Sequence, residues 1–254
     1  MIIKANQCGG HFYAKDGTPC HFIEKKDGSG TRATTVADAR KNGWLPSPTT
    51  ILATLAKPAL NEWLRQTAAL AVLTTPRQDG EDIDSFVDRA LSVDANSISD
   101  AAKERGTIIH DELEKRLAGV CGTYNTLLDE YVNPVISEVN KLGRVVMTEK
   151  VLVGDGYAGR VDCVVESESI TVIDFKTTGA KKLPKKPYDE HLLQISAYCK
   201  ALGNTGDKPI KYAVIYISSV RPGEVNVCEG ADWQDNFELG FKPIMAYYKW
   251  SNNI

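Results

Sequence analysis

Asp174 and Lys176 stand two residues apart in Val172-Ile-Asp174-Phe175-Lys176-Thr-Thr. The β-branched and apolar residues around them predict a strand, and on a strand two such residues share a face. A carboxylate beside an ammonium on an otherwise apolar strand is costly to bury without a purpose. Metal-assisted phosphoester chemistry supplies one. The carboxylate holds a hard divalent cation, and the lysine orients the attacking water and offsets charge on a phosphate. Phe175, between them, is expected to point into the core, with its backbone carbonyl a candidate further metal ligand.

A second acid stands upstream in Gly159-Arg-Val-Asp162-Cys-Val-Val. The intervening residues fit a tight meander that turns near Glu166–Glu168, so Asp162 and Asp174 can converge on one point at the edge of a sheet. Glu149, on the preceding strand, is a weaker candidate for a second metal or a water. His110 sits in Gly106-Thr-Ile-Ile-His110-Asp-Glu-Leu-Glu114, on a long helix, and Glu114 shares its face one turn later. An imidazole completes a site that already has two carboxylates, and it suits manganese better than magnesium. Gln194 and Tyr198 lie one turn apart on the next helix, placed to contact a phosphate or to steady Lys176. The loop Lys181-Lys182-Leu-Pro-Lys185-Lys186 reads as a phosphate-tracking strip, to which Arg160 and Thr177 are added as DNA contacts. Taken singly, each feature has an ordinary explanation: a salt bridge, a packed histidine, a solvated loop. Their company singles them out.

The elements that must position them follow from periodicity. Residues 8–30 read as a small hairpin about Asp16-Gly17-Thr18-Pro19, broken off by Asp27-Gly28-Ser29-Gly30. Short helices are expected at 34–43, from Thr49 or Thr50, and from Pro58. Another spans about 81–93, and a long one spans about 97–117. Residues 123–141 read as a helix that Pro134 should kink or split. Strands follow at 144–153, 157–166 and 170–176, then a helix at 189–202, strands at 211–218 and 224–228, and a last helix at 232–250. Gly154-Asp-Gly-Tyr-Ala-Gly159 matches a dinucleotide fingerprint, but a strand follows it where a helix is required, so it reads as a hairpin turn. The whole is an α/β fold with a central mixed sheet flanked by helices. An N-terminal hairpin and helical part, 1–95, is expected to pack on a core, 96–254.

The 254 residues, 43% hydrophobic and 25% charged, suffice for one sizeable core. A net charge of -3 argues against electrostatic coating of nucleic acid, but it leaves room for a metal site and a local basic strip. With no long apolar run and no signal-like start, a cytoplasmic protein without a membrane partner is expected. The six cysteines form no CxxC pair and are expected to be free thiols.

Together the motifs resemble the RecB-like branch of the PD-(D/E)xK nuclease superfamily, whose order is a GxxxH helix, a G-x-x-D strand, a D-x-K strand and a Q-x-x-x-Y helix. Gly106/His110, Gly159/Asp162, Asp174/Lys176 and Gln194/Tyr198 fit that order, over about residues 100–205. Val161 stands where other branches carry proline. The stretch from Thr34 through Lys57-Pro-Ala-Leu-Asn-Glu-Trp63 is similar to bacteriophage exonucleases and to the mitochondrial genome maintenance exonuclease group. The resemblance implies a restriction-endonuclease-like core and cleavage of DNA from a free end, with single strands preferred. It implies one or two Mg²⁺ or Mn²⁺ ions on His110, Asp162 and Asp174, with Lys176 as the catalytic lysine. Some relatives hold an iron–sulfur cluster on one cysteine before the histidine and three near the C-terminus. Only Cys199 and Cys228 lie in the last quarter here, so no iron–sulfur cluster is expected. The alternatives are a structure-specific endonuclease on the same fold and a non-cleaving DNA-binding module.

Overall fold

A computed structural model describes residues 10–56, 58–119, 124–203 and 205–254. Cys8 and Cys121 lie outside them. The chain separates into two compact units, residues 1–54 with 112–254, and residues 55–111.

The second unit holds helix α3 (Pro58–Thr74) and most of helix α4 (Ile83–Leu117). Two helices were expected where α4 runs unbroken for 35 residues. The Asn96-Ser97 pair, which reads as a cap, is only a weak helix former, and no proline interrupts the run, which accommodates Gly106 in its second half.

The first unit begins with short elements: β1 (Phe12–Tyr13), β2 (Phe22–Glu24), β3 (Thr31–Ala33), α1 (Val36–Asn42), β4 (Leu45–Pro46) and α2 (Pro48–Leu52). The expected hairpin about Asp16–Pro19 is reduced to a single bridge, Tyr13 to Pro19. β1 pairs instead with β4, and the true hairpin is β2–β3. Asp27–Gly30, read as a break, is its turn: Lys25 N–H donates to Gly30 O at 2.8 Å, and Gly28 takes a φ of +70°. Helix α1 is closed by a capping box between Thr35 and Asp38 and by Gly43 in the left-handed conformation. Ser47, not Thr49 or Thr50, caps α2.

Helix α5 (Asp129–Leu142) follows and passes straight through Pro134. Proline at 134 leaves the carbonyl of Glu130 without its helical donor, and Gly223 N–H supplies one at 2.8 Å. Strands β5 (Arg144–Gly154), β6 (Tyr157–Glu166) and β7 (Ile170–Thr178), helix α6 (Asp189–Leu202), and strands β8 (Ile210–Ser218) and β9 (Val225–Gly230) complete the centre. The sheet order is β5-β6-β7-β8-β9, with β7–β8 parallel and the other pairs antiparallel. The glycine-rich stretch is the β5–β6 turn, with Gly154 paired to Tyr157 and Gly156 at a φ of +82°. Helix α6 is the crossover between the parallel strands. It buries Ile195, Tyr198 and Cys199 against Val172, Val214 and Tyr216. Helix α5 also packs on the sheet through Val132, Val135 and Val139. A short turn α7 (Trp233–Asp235) and a π-helical turn at Asn236–Phe241 lead into α8 (Lys242–Asn252). No helix among the described residues is long and apolar enough to cross a membrane.

Candidate active site

The site begins where two strands part. The β6–β7 ladder runs from Glu166↔Ile170 to Cys163↔Ile173, and the next two residues facing each other are Asp162 and Asp174. β7 carries on beside β8 as far as Thr178. In place of a further ladder bond, Phe175 N–H donates to Asp162 Oδ2 at 2.7 Å. The carboxylate thus does the work of a strand neighbour, and both aspartates sit in the notch between the separating strands.

Asp174 is 1% exposed. Its Oδ1 accepts from Gln194 Nε2 at 3.2 Å. Its Oδ2 lies 2.8 Å from Lys176 Nζ, yet no hydrogen bond is aligned on that oxygen. The ammonium's aligned bond goes to Gln194 Oε1 at 3.1 Å. Gln194 Nε2 also donates to Tyr198 Oη at 3.2 Å. One amide therefore accepts from the lysine and donates to the aspartate and the tyrosine, which fixes which end is oxygen. Phe175 is buried, as its position on the strand predicts.

Burial raises the pKa of Asp174, and the charge of Asp162 adds to this, while Lys176 works against it. Burial alone would lower Lys176, but Asp174 and Asp162 outweigh it and hold the ammonium above its usual value. Both carboxylates thus favour the charged form of Lys176. A buried carboxylate oxygen without an aligned donor, beside a second carboxylate, fits a hard divalent cation with oxygen ligands. Among the described residues no three His, Cys, Asp or Glu side chains gather into a metal cluster. Among the described residues of this unit, the carboxylates of Asp162 and Asp174 are the oxygen donors at the notch, with Glu149 across the strand pair from Asp162. That set suits magnesium, which keeps several waters and takes phosphate oxygens.

Glu149 lies across from Asp162, between the pairs Thr148↔Cys163 and Lys150↔Val161. Its φ of +49° is a left-handed conformation that a non-glycine residue rarely adopts in a strand. Its carboxylate pairs with Arg160 Nε at 2.6 Å. Gly159, three before Asp162, is a packing requirement. A Cβ there would lie 2.8 Å from Pro48 Cδ and 2.9 Å from the Tyr198 ring.

Tyr198 was expected among the DNA contacts. It is 4% exposed, with its hydroxyl held by Gln194, so it supports the site from beneath. Lys181, Lys182, Lys185, Lys186 and Arg160 are exposed, and Thr177 is half-buried. Glu114 is exposed on α4. His110 lies on α4 in the second unit, and its expected role as a metal ligand comes from motif order alone. The sequence reading gave no role to His191, although it stands three before Gln194 and so shares its helix face. Its Nδ1 lies 2.9 Å from Tyr216 Oη.

The model of the PD-(D/E)XK nuclease superfamily matches residues 59–231, more than half of the chain. The chain belongs to that superfamily. The five-stranded mixed sheet with its flanking helices is the PD-(D/E)XK domain, and membership indicates a nuclease that acts on DNA. No curated protein matches significantly. Among solved structures, the crystal structure of SSO0001 is 17% identical over 76% of this chain and 84% of its own, with a TM-score of 0.35. That likeness is too distant to carry an argument.

Proposed function

We propose that this chain is an Mg²⁺- or Mn²⁺-dependent DNA exonuclease of the RecB-like branch, resembling those of bacteriophages and acting in the cytoplasm. The observation that carries the reading is the notch holding Asp162 and Asp174, with Lys176 against the second acid. Asp162 and Asp174 hold one or two ions, aided by the Phe175 carbonyl and by His110. Glu149 is the further candidate once Arg160 releases it to a phosphate. A bound divalent ion would polarise the scissile phosphate and lower the pKa of water. Lys176 Nζ, fixed by Gln194, orients the attacking water and offsets charge on the phosphate. Arg160, Thr177 and the lysines of 181–186 take neighbouring phosphates. The exonuclease reading itself is supported by the N-terminal resemblance.

End-labelled linear and covalently closed circular DNA, single- and double-stranded, incubated with Mg²⁺, Mn²⁺ or EDTA, test this. Mononucleotides or short products should appear from linear DNA only. Cutting of circles would overturn the exonuclease reading in favour of an endonuclease. Binding without any cutting would favour a non-cleaving module.

A further inference from the structure

Two imidazoles and a guanidinium gather in the first unit, outside the notch. His11 stands just before β1 and His21 just before β2, with their ring centroids 4.6 Å apart. β1 packs on β6, the strand that carries Arg160. Main-chain bonds hold both histidines. His11 N–H donates to Thr50 Oγ1 at 2.9 Å, and its carbonyl accepts from Ser47 N–H at 2.8 Å. His21 Nδ1 accepts from Phe12 N–H at 3.2 Å. A main-chain amide can only donate, so Nδ1 is bare and the His21 ring carries its proton on Nε2. Among the described residues that N–H meets no acceptor. Tyr13 stands edge-on to the same ring, 4.9 Å between centroids. His11 is exposed, and among the described residues its ring makes no hydrogen bond. The charges that act on the two imidazoles are positive. Burial and then Arg160 lower the pKa of His11, and burial, then His11 and Arg160, lower that of His21. Both rings are therefore neutral donors at neutral pH. The Arg160 side chain is 59% exposed and pairs through Nε with Glu149 at 2.6 Å. In a chain of net charge -3, donors and positive charge concentrated in this way suit a bound anion.

We propose that His11 and His21, together with Arg160, form a phosphate subsite that holds a DNA phosphate next to the scissile one. The proposal rests on the nuclease reading and deepens it. Arg160 precedes Asp162 by two residues of strand, about 7 Å, so a phosphate held here is a neighbour of the one at the metal. His21 Nε2–H and the guanidinium donate to its oxygens, and the exposed His11 ring adds a third donor. Neutral imidazoles position a phosphate without adding further charge to hold it. The same donors suit an internal phosphodiester or the terminal phosphate of a strand, and the test separates the two.

The test uses the full chain carrying Lys176→Ala, to stop cleavage, with Mg²⁺ and oligothymidylates labelled with fluorescein on an internal base. A phosphate is placed on one end, on the other, or on neither. Fluorescence anisotropy gives the affinity, and thermal melts report the fold. His21→Asn keeps an acceptor near Nδ1 for Phe12 N–H but removes the Nε2 donor. It should weaken binding about five-fold or more with little change in melting temperature. His11→Ala, at an exposed ring that no hydrogen bond ties to the described fold, should do the same. A loss confined to oligonucleotides phosphorylated at one end would put a terminal phosphate in the subsite, and an equal loss for all three would put an internal one there. Should His21→Asn melt lower, His11→Ala decides alone. Parent affinity for all three oligonucleotides in His11→Ala, or in a stably folded His21→Asn, would overturn the subsite. Failure of the chain with Lys176 intact to cut DNA would instead overturn the nuclease reading, because the anisotropy does not depend on cleavage.

Discussion

The main-chain amide of Phe175 is held by the side chain of Asp162, at 2.7 Å, at the point where β6 and β7 stop pairing. A carboxylate placed there satisfies a buried donor and stands beside Asp174. On the proposed reading, structural and catalytic demands fall on the same side chain, so its removal should cost both. Asp162→Ala strands a buried N–H, worth about 1–3 kcal/mol, as well as removing a ligand. Asp162→Asn keeps an acceptor and should recover most of the stability but not the activity. Thermal melts of the two variants check this.

Lys176→Ala should lower cleavage about 10²- to 10⁴-fold, the range for a positioned proton-handling group. It should leave metal affinity within a few-fold, because the carboxylates remain. Titration calorimetry with Mn²⁺ alongside single-turnover cleavage separates the two effects. A parallel loss of metal binding would mean that the lysine mainly holds Asp174 in place.

Gln194 links three side chains through one amide. Gln194→Leu has nearly the same volume but leaves Lys176, Asp174 and Tyr198 short of partners. A destabilisation of about 1–3 kcal/mol is expected, with a fall in kcat and little change in KM. Denaturant unfolding and steady-state kinetics measure both. Unchanged kcat would show that Lys176 does not depend on Gln194 for its orientation.

The left-handed Glu149 gives a stability prediction of unusual sign. In a strand, alanine normally outlasts glycine. At a φ of +49° the order should reverse, with Glu149→Gly more stable than Glu149→Ala by about 1 kcal/mol. Equal or opposite stabilities would mean that the strand relaxes at this position.

Asp38 supplies a pH dependence remote from the site. Bonds from the Arg32 guanidinium, then from the Thr35 hydroxyl and amide, hold its carboxyl well below the usual range. A depressed folded pKa adds stability that is complete above the unfolded value. It is lost as pH falls through about 4 toward the folded value. The stability gap between the wild-type chain and Asp38→Asn should therefore close in acid. Thr35→Ala should cost about 0.5–2 kcal/mol at neutral pH.

What could be read from the sequence was local. Alternation between Tyr157 and Lys176 set two strands and the shared face of Asp174 and Lys176. The stripe of α6 set the spacing of Gln194 and Tyr198. What escaped depends on partners far along the chain. β1 joins β4 across more than thirty residues, and Gly223 replaces the donor that Pro134 removes from α5. The parting of β6 and β7 leaves no mark in residue type, so the bond from Phe175 to Asp162 was invisible. Tyr198 has the residue type of a DNA contact, and only the depth of α6 reveals it as a support.

The central claim is that Asp162, Asp174 and Lys176 form one metal-dependent hydrolytic centre. Single-turnover cleavage of end-labelled linear DNA, by the wild-type chain and by Asp162→Asn, Asp174→Asn and Lys176→Ala, tests it most directly. Cleavage should require Mg²⁺ or Mn²⁺, stop in EDTA, and fall at least about 10²-fold in each variant while all three stay folded. Wild-type rates in any of the three, or cleavage that persists in EDTA, would contradict it.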